Sequence, residues 1–289
     1  MRRTIALALF FFLAAFTARA AQHGAWRLTE REDGRLQIEL ISDHNQNSNG
    51  IDRSAFTGLT AAQMEASSDT PVDFQLIRDA GTLHFTGSFQ HGEGVGRFTF
   101  EPNVSYAATL RGLGVAASDL DDDRLFSLAM HDVSASFIQE MQSLGYREEI
   151  GKYVAFRIHG ATPQFVRDIN ALGYHPDAGQ LVAFRIHGAT AEFIREIRAL
   201  GYQPDEHQLV AFRIHGVSPE FVKGMKELGV RDLDQDNLVA LRIHGASTDY
   251  VRELRDLGYT NLSATELVQM RIHGVSSDYI RDLRSAGYA

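Results

Sequence analysis

The chain has 289 residues, with 28 Lys and Arg against 37 Asp and Glu and no cysteine. A formal charge of −9 with no basic cluster argues against nucleic acid and anionic membrane surfaces as partners, and no disulfide can hold this fold together. The length is sufficient for two domains.

Residues 1–20 read as a signal peptide. Arg2 and Arg3 form a basic start, Ile5 to Phe16 is an unbroken apolar run, and Ala18-Arg19-Ala20 has the small-x-small pattern of a cleavage site. The apolar run is too short for a bilayer span, which needs about 20 residues. The mature protein is expected to be exported, periplasmic or secreted, with no stable membrane insertion. Removing the three arginines of this leader moves the formal charge from −9 to −12.

Residues 21–101 are expected to form a β-rich domain. Leu36, Ile38 and Leu40 alternate with polar residues, as do Val72, Phe74 and Leu76, then Leu83, Phe85 and Phe89, then Phe98 and Phe100. Period-two alternation over short runs predicts half-buried antiparallel strands, four or five in number, with Trp26 and Leu28 opening the first. Between them, Asp43–Ala66 begins as a polar loop, and Thr60 with Gln63 forms a capping box for a short helix. Asn45, Asn47, Asn49 and Gly50 have the spacing of a calcium loop. Phe56, however, stands where a bidentate carboxylate is required, and the ligands are neutral amides, so a plain polar loop is expected. Gly92, Gly94 and Gly96 precede strand-like sequence rather than a helix, which predicts a hairpin turn and not a phosphate cradle.

Residues 102–289 are a repeat array. The phrases YVAFRIHG, LVAFRIHG, LVAFRIHG, LVALRIHG and LVQMRIHG place His159, His187, His215, His244 and His273 at intervals of 28, 28, 29 and 29 residues. A degenerate copy spans Leu125–Asp132, with His131 a further 28 residues upstream, and a leading half-copy covers Val104–Val115. A fixed period of this length signals stacked structural repeats. The second half of each unit is an amphipathic helix. Thr190, Ser218 and Ser277 stand at the N-cap, Pro163 and Pro219 lie in the first turn, and Phe193, Ile194, Ile197 and Leu200 form the stripe. Gly201-Tyr202 stops that helix, as do the Gly-Tyr pairs ending at Tyr146, Tyr174, Tyr259 and Tyr288, with Val230 substituting once.

The first half of each unit is ambiguous between helix and strand. A strand would give a β-α solenoid with Val239, Leu241 and Ile243 inward. Helix-start signals nevertheless precede the phrase at Ser263/Glu266, Asp205/Gln208 and Asp177/Gln180, and Gly160, Gly188, Gly216, Gly245 and Gly274 are the expected stops. A strand ladder would also stack five arginines about 4.8 Å apart. The helical reading is therefore favoured, and the expected fold class is α+β: an antiparallel β-rich domain followed by a solenoid of about six helical hairpins. Helical geometry places Arg157, Arg185, Arg213, Arg242 and Arg271 inside the apolar arc. Asp168, Glu196, Glu253 and Asp282 lie 11 residues after four of these arginines and are expected to pair with them, whereas Arg213 faces Gly224.

The histidines do not predict a metal site, because equivalent positions on neighbouring helices lie roughly 10 Å apart and zinc ligands must converge to about 2 Å. They read as residues of the last helical turn, close to the final carbonyls. No nucleophile elbow, metalloprotease helix or triad spacing is present, so neither catalysis nor a cofactor is expected. The phrase RIHG-(A/V)-(T/S), followed by an apolar stripe and LGY, resembles uncharacterised helical repeats of exported bacterial proteins. It is similar to repeats beside the peptidase region of beta-lactam-sensor-type membrane metallopeptidases. The resemblance covers the repeat half well and the strand half loosely, and it implies envelope sensing or binding without carrying any functional residue across.

The expected function is a non-catalytic scaffold that binds another protein. Contacts are expected at positions that vary between units: Gln164, Glu192, Glu220, Asp249 and Asp278. The alternatives are a regulatory or inhibitory subunit of an envelope peptidase or signalling protein, and a ligand- or carbohydrate-binding β domain carried on a spacer.

Overall fold

The computed structural model describes residues 22–42 and 46–288, so the expected leader and Asn45 lie outside the described residues. A division between Ala135 and Ser136 separates two compact units.

The first unit is built on a seven-stranded antiparallel sheet: β1 (His23–Glu30), β2 (Leu36–Ile41), β3 (Gln46–Ile51), β4 (Phe56–Thr57), β5 (Thr70–Arg78), β6 (Gly81–Gln90) and β7 (Glu93–Pro102), in the order β3-β2-β1-β7-β6-β5-β4. The alternating apolar residues all face one side. Trp26, Leu28, Leu36, Ile38, Leu40, Phe74, Leu76, Leu83, Phe85, Phe89, Phe98 and Phe100 are each at most 2% exposed. Their rings interlock, with Phe74 stacked on Phe85 at 4.8 Å and Trp26 edge-on to Phe74 at 5.3 Å, a geometry worth about 0.5–1.5 kcal/mol per pair beyond burial.

The glycine-rich stretch is explained by this core. His91 and Gly92, both at positive φ, make the two-residue turn between β6 and β7. Gly96 lies beneath Trp26, where an added Cβ would sit 2.0 Å from the Thr86 carbonyl oxygen and 2.7 Å from the indole nitrogen.

Two expectations for this unit are corrected. There are seven strands rather than four or five, and the Asn-rich stretch is not a loop but the edge strand β3, paired with β2 from Gln46 to Ile51. An edge strand has one side of its backbone unpaired, so polar Asn and Ser fit there without an apolar pattern to announce them. Asn49 Nδ2 donates to the Met130 carbonyl at 3.3 Å. The short helix α1 (Ala61–Met64) starts at the expected capping box of Thr60 and Gln63.

Helices α2 (Val104–Gly112) and α3 (Asp122–Met130) complete the first unit. Phe126 of α3 stacks on Phe98 at 5.8 Å and meets Phe100 edge-on at 5.4 Å, which ties the degenerate repeat copy to the sheet. Burial lowers the pKa of His131 in that copy. Tyr106 of α2 donates its hydroxyl to the Val133 carbonyl, and burial, with the nearby carboxylates of Asp79 and Asp132, holds its phenol protonated well above the usual tyrosine range.

The second unit is a row of helices: α4 (Ala135–Ser143), α5 (Ile150–His159), α6 (Pro163–Asn170), α7 (Ala178–His187), α8 (Ala191–Ala199), α9 (Glu206–His215), α10 (Pro219–Glu227), α11 (Gln235–Ile243), α12 (Thr248–Asp256), α13 (Ala264–Ile272) and α14 (Ser277–Ser285). Every RIHG phrase is therefore helical and the strand alternative does not occur. First helices α5, α7, α9, α11 and α13 pack side by side, and so do second helices α6, α8, α10, α12 and α14. Four of the five RIHG units bury the same set, for example Leu181, Phe184, Ala189, Phe193, Ile194 and Ile197, whereas in the last Leu267 and Ile280 are buried and Tyr279 is exposed. One such set is too small a core to stand alone, and stacking makes it continuous.

Local signals set the boundaries. Asp177, Asp205 and Ser263 accept from the backbone N–H three residues on, with full capping boxes at Asp205/Gln208 and Ser263/Glu266. Gly160, Gly188 and Gly216 end their helices at φ 71°, 76° and 74°. Thr162, Thr190, Ser218 and Ser247 cap the second helices. In the last unit the cap is Ser276, not Ser277 as expected. Ser276 accepts from Tyr279 N–H, while Ser277 is the first helical residue and gives its hydroxyl to Glu253. Two consecutive serines at a helix start make this one-residue slip easy, since both are good caps.

Candidate interaction surface

The RIHG phrase is the last turn of each first helix, and its arginine reaches back to the preceding unit. Nε of Arg185, Arg213 and Arg242 donates to the carbonyls of His159, His187 and His215 at 3.2, 3.1 and 3.3 Å. The same guanidinium groups lie over Phe165, Phe193 and Phe221 at 4.9, 4.9 and 5.0 Å from the ring centres. Arg157 lies over Phe137 at 5.2 Å and Arg271 over Tyr250 at 4.8 Å.

The glycine that ends each helix makes room for this arrangement. An added Cβ on Gly160, Gly188 or Gly216 would lie 3.0, 3.0 or 2.8 Å from the Nη2 of Arg185, Arg213 or Arg242. One glycine thus supplies both the left-handed turn and the flat seat for a guanidinium.

The expected ion pairs with Asp168, Glu196, Glu253 and Asp282 are not formed among the described residues. Asp168 accepts instead from Gln164 at 2.8 Å, and Glu253 from Ser277. The physical reason lies in what the preceding unit offers. It presents an aromatic face together with a helix C-terminus whose last carbonyls have no helical partner, and one guanidinium satisfies both.

A second cationic row ties the second helices together in the same way. Arg198 lies over Tyr174 at 4.6 Å. Lys226 lies over Tyr202 at 4.7 Å and donates Nζ to the Leu200 carbonyl at 2.6 Å. Arg284 lies over Tyr259 at 5.5 Å and donates to the Leu257 carbonyl. The tyrosines of the Gly-Tyr pairs reach forward. Tyr146, Tyr174 and Tyr202 give their hydroxyls to the carbonyls of Pro176, Pro204 and Leu233 at 2.7, 2.7 and 2.8 Å.

One residue of the phrase serves none of these purposes. Ile158, Ile186, Ile214, Ile243 and Ile272 are exposed by 55, 54, 53, 54 and 50%. They project from the outer face of α5, α7, α9, α11 and α13, one per unit, and Val154, Val182, Val210 and Val239 lie half-buried one turn before them. His159, His215, His244 and His273 are exposed beside them and His187 is half-buried. Among the described residues no group of three His, Cys, Asp or Glu side chains is placed to hold a metal ion.

The isoleucine row was legible in the sequence but missed. At 100° per residue, Ile243 falls about 160° from Leu241, so five repeats keep a large apolar residue where the core has no use for it.

The varying residues Gln164, Glu192, Glu220, Asp249 and Asp278 are all exposed in the first turn of their second helices. Asp278 pairs with Arg281 at 2.5 Å, Asp249 pairs with Arg252, and backbone N–H and Ser218 hydroxyl bonds lower the pKa of Glu220. Four of the five are solvated helix-start carboxylates, as the helix dipole favours, and Gln164 is a neutral amide.

A cleft of about 350 Å³ opens between Leu144–Glu148 and His175–Ala178. Several of its polar groups are engaged, although the buried Asn170 Oδ1 on its lining has no hydrogen-bond partner. Asp177 caps α7, the His175 N–H donates to Glu206 at 3.3 Å, and the Tyr146 hydroxyl is bonded as described. Among the described residues no helix is long and apolar enough to cross a membrane. Comparison with protein-family models, curated proteins and solved structures finds no match to this chain.

Proposed function

We propose that the protein is an exported, non-catalytic interaction scaffold whose repeat array presents the outer face of its first helices to a partner protein. The observation that carries this reading is the row of five half-exposed isoleucines at 158, 186, 214, 243 and 272. Scattered exposed apolar residues are ordinary, but an apolar side chain repeated at one position along a stack forms a continuous stripe of the kind that marks protein contact. Cores supply no reason for it, since each isoleucine points away from the buried Leu and Phe of its own helix. The reading also agrees with the leader expected from residues 1–20 and with a resemblance to envelope sensing and binding repeats.

The test is the triple variant Ile186→Ser, Ile214→Ser, Ile243→Ser, compared with the wild type in affinity capture from the native envelope. Half-exposed side chains contribute little to the core, so the melting temperature should hardly move while the captured partner is lost. Capture that survives in a folded triple variant rejects the reading.

A further inference from the structure

Beside Ile186, Ile214 and Ile243 lies a guanidinium fixed in place. Arg185, Arg213 and Arg242 are exposed, yet each is held by a ring beneath it and by its Nε bond to a backbone carbonyl. Among the described residues their Nη groups donate to no acceptor, and no ion pair there involves them or Arg271. An arginine fixed in this way has already lost the side-chain freedom that usually weakens surface ion pairs, and a guanidinium whose Nη groups have no acceptor of their own can take a carboxylate in bidentate fashion. The last turns of these helices carry no acid: each ends in Arg, Ile and His, in a chain whose formal charge is −9. The acids of the second helices lie beyond the glycine turn, and among them Asp249 and Asp278 are neutralised by Arg252 and Arg281.

Spacing narrows the partner further. Neighbouring packed helices stand about 8–10 Å apart. A polyproline-II segment rises about 3.1 Å per residue with three residues per turn, so every third side chain lies on one face at intervals of about 9 Å.

We infer that the array binds an extended acidic segment of a partner protein, with a carboxylate at every third residue seated on successive arginines (Arg185, Arg213, Arg242, Arg271) and intervening apolar side chains on the isoleucine row. This rests on the scaffold reading and adds the chemistry and period of what is bound. The occupant is a polypeptide rather than a sulfated glycan, because the stripe is apolar and cationic together, and a polyanion would leave the isoleucines unpaired.

The test uses the full protein and two labelled peptides of identical composition. One repeats Glu-Pro-Leu five times, and the other groups its five glutamates at one end. Several half-exposed ion pairs acting in register should make the matched peptide bind about tenfold or more tighter than its isomer. Raising the salt concentration should erase much of that gap. The variant Arg185→Lys, Arg213→Lys, Arg242→Lys keeps the charge but loses the fork, and it should lose the discrimination while still unfolding cooperatively, at a lowered melting temperature.

Equal affinity for the two peptides overturns the inference, and so does unchanged discrimination by the folded lysine variant. Competition by heparin that is as strong against one peptide as the other also overturns it, in favour of a general anion sink. If the peptides are not distinguished while the isoleucine variant still loses its native partner, only the inference falls. If the isoleucine variant keeps its partner as well, the scaffold reading falls with it.

Discussion

Replacing Arg185 and Arg213 separately by Met tests what the repeated arginine does. Met preserves most of the aliphatic stem and its packing and removes the guanidinium. For Arg213 the losses are the stack on Phe193 at 4.9 Å and the Nε bond to the His187 carbonyl at 3.1 Å. The stack of an exposed guanidinium on this buried ring is worth about 0.5–1 kcal/mol. The hydrogen bond adds about 1 kcal/mol, counted together with the helix-terminus attraction because both act on the same carbonyls. The expected loss is about 1.5–2 kcal/mol for each variant. The two geometries are nearly identical, 3.2 and 3.1 Å to the carbonyl and 4.9 Å to each ring, although Arg185 has Glu196 downstream and Arg213 has Gly224. The two losses should therefore agree within about 0.5 kcal/mol. Urea unfolding followed by circular dichroism measures each loss, provided the m-value is unchanged. A double-mutant cycle should find coupling of about 0.5–1 kcal/mol between Arg185 and Phe165 and none beyond error between Arg185 and Glu196. Stronger coupling to Glu196 than to Phe165 would refute the backward-reaching arginine.

Two glycines should respond in opposite directions. Gly188→Ala places a side chain at φ 76° and against Arg213, and a loss of about 1–2 kcal/mol is expected. Gly151→Ala, in a helix with nothing within 4 Å of the added Cβ, should gain about 0.4–1 kcal/mol; denaturant melts of both decide. Ser276→Ala should cost about 1 kcal/mol as a lost cap, and Ser277→Ala should leave the protection of the Tyr279 amide from hydrogen exchange intact. Alkaline stability should follow the buried phenols. The Tyr146 pKa is pushed up to about 12 by burial, then by Asp177 and Glu148, from an ordinary value of 10.0. Folding thus favours the neutral phenol, and this contribution is complete below pH 10 and lost as pH rises from there towards about 12. Melting temperature against pH should fall across that window in the wild type and fall less in Tyr146→Phe.

The helical part of the fold was legible because its signals are local. Asp205 with Gln208, Pro219, and the glycines after each histidine act within one turn of the chain, so reading them requires no knowledge of neighbours. The sheet was legible where one face is buried and the alternation is forced, as at Leu83, Phe85 and Phe89. It was not legible at β3, whose polar residues meet solvent on one edge and carry no period. The arginine partners were misread for a related reason. Counting 11 residues forward finds an acid in the same unit, whereas the true partners, Phe165 and the His159 carbonyl for Arg185, lie 20 and 26 residues back and belong to the stacking of units. Half of that partnership is a backbone carbonyl, which leaves no mark in the sequence at all. The isoleucine row was the opposite case. It was visible as a residue without a role in the core and was passed over because attention fell on positions that vary.

The change in repeat length shows how strictly the stacking is maintained. Up to His215 the units are 28 residues long, and the Gly-Tyr hydroxyl reaches the next unit's Pro176 or Pro204 carbonyl. Val230 has no hydroxyl, and in that unit the contact passes to the backbone. Arg231 N–H donates to Leu262 O at 3.0 Å, Ala264 N–H donates to Arg231 O at 2.9 Å, and Arg231 Nε donates to Asn261 O at 2.9 Å. The extra residue of the 29-residue units makes this possible. It falls between the Gly stop and the next helix, and it is there that Asp232 and Asn261 take positive φ of 57° and 61°, a conformation Asp and Asn tolerate better than other side chains. The lost side-chain bond and the added residue thus occur together, and there two units pair main chain to main chain. The arginine–aromatic contact continues through this change, since Arg271 still covers Tyr250 at 4.8 Å although its Nε has no acceptor. Contacts between units are replaced by other contacts when the sequence drifts, while the outward isoleucine is kept at every step.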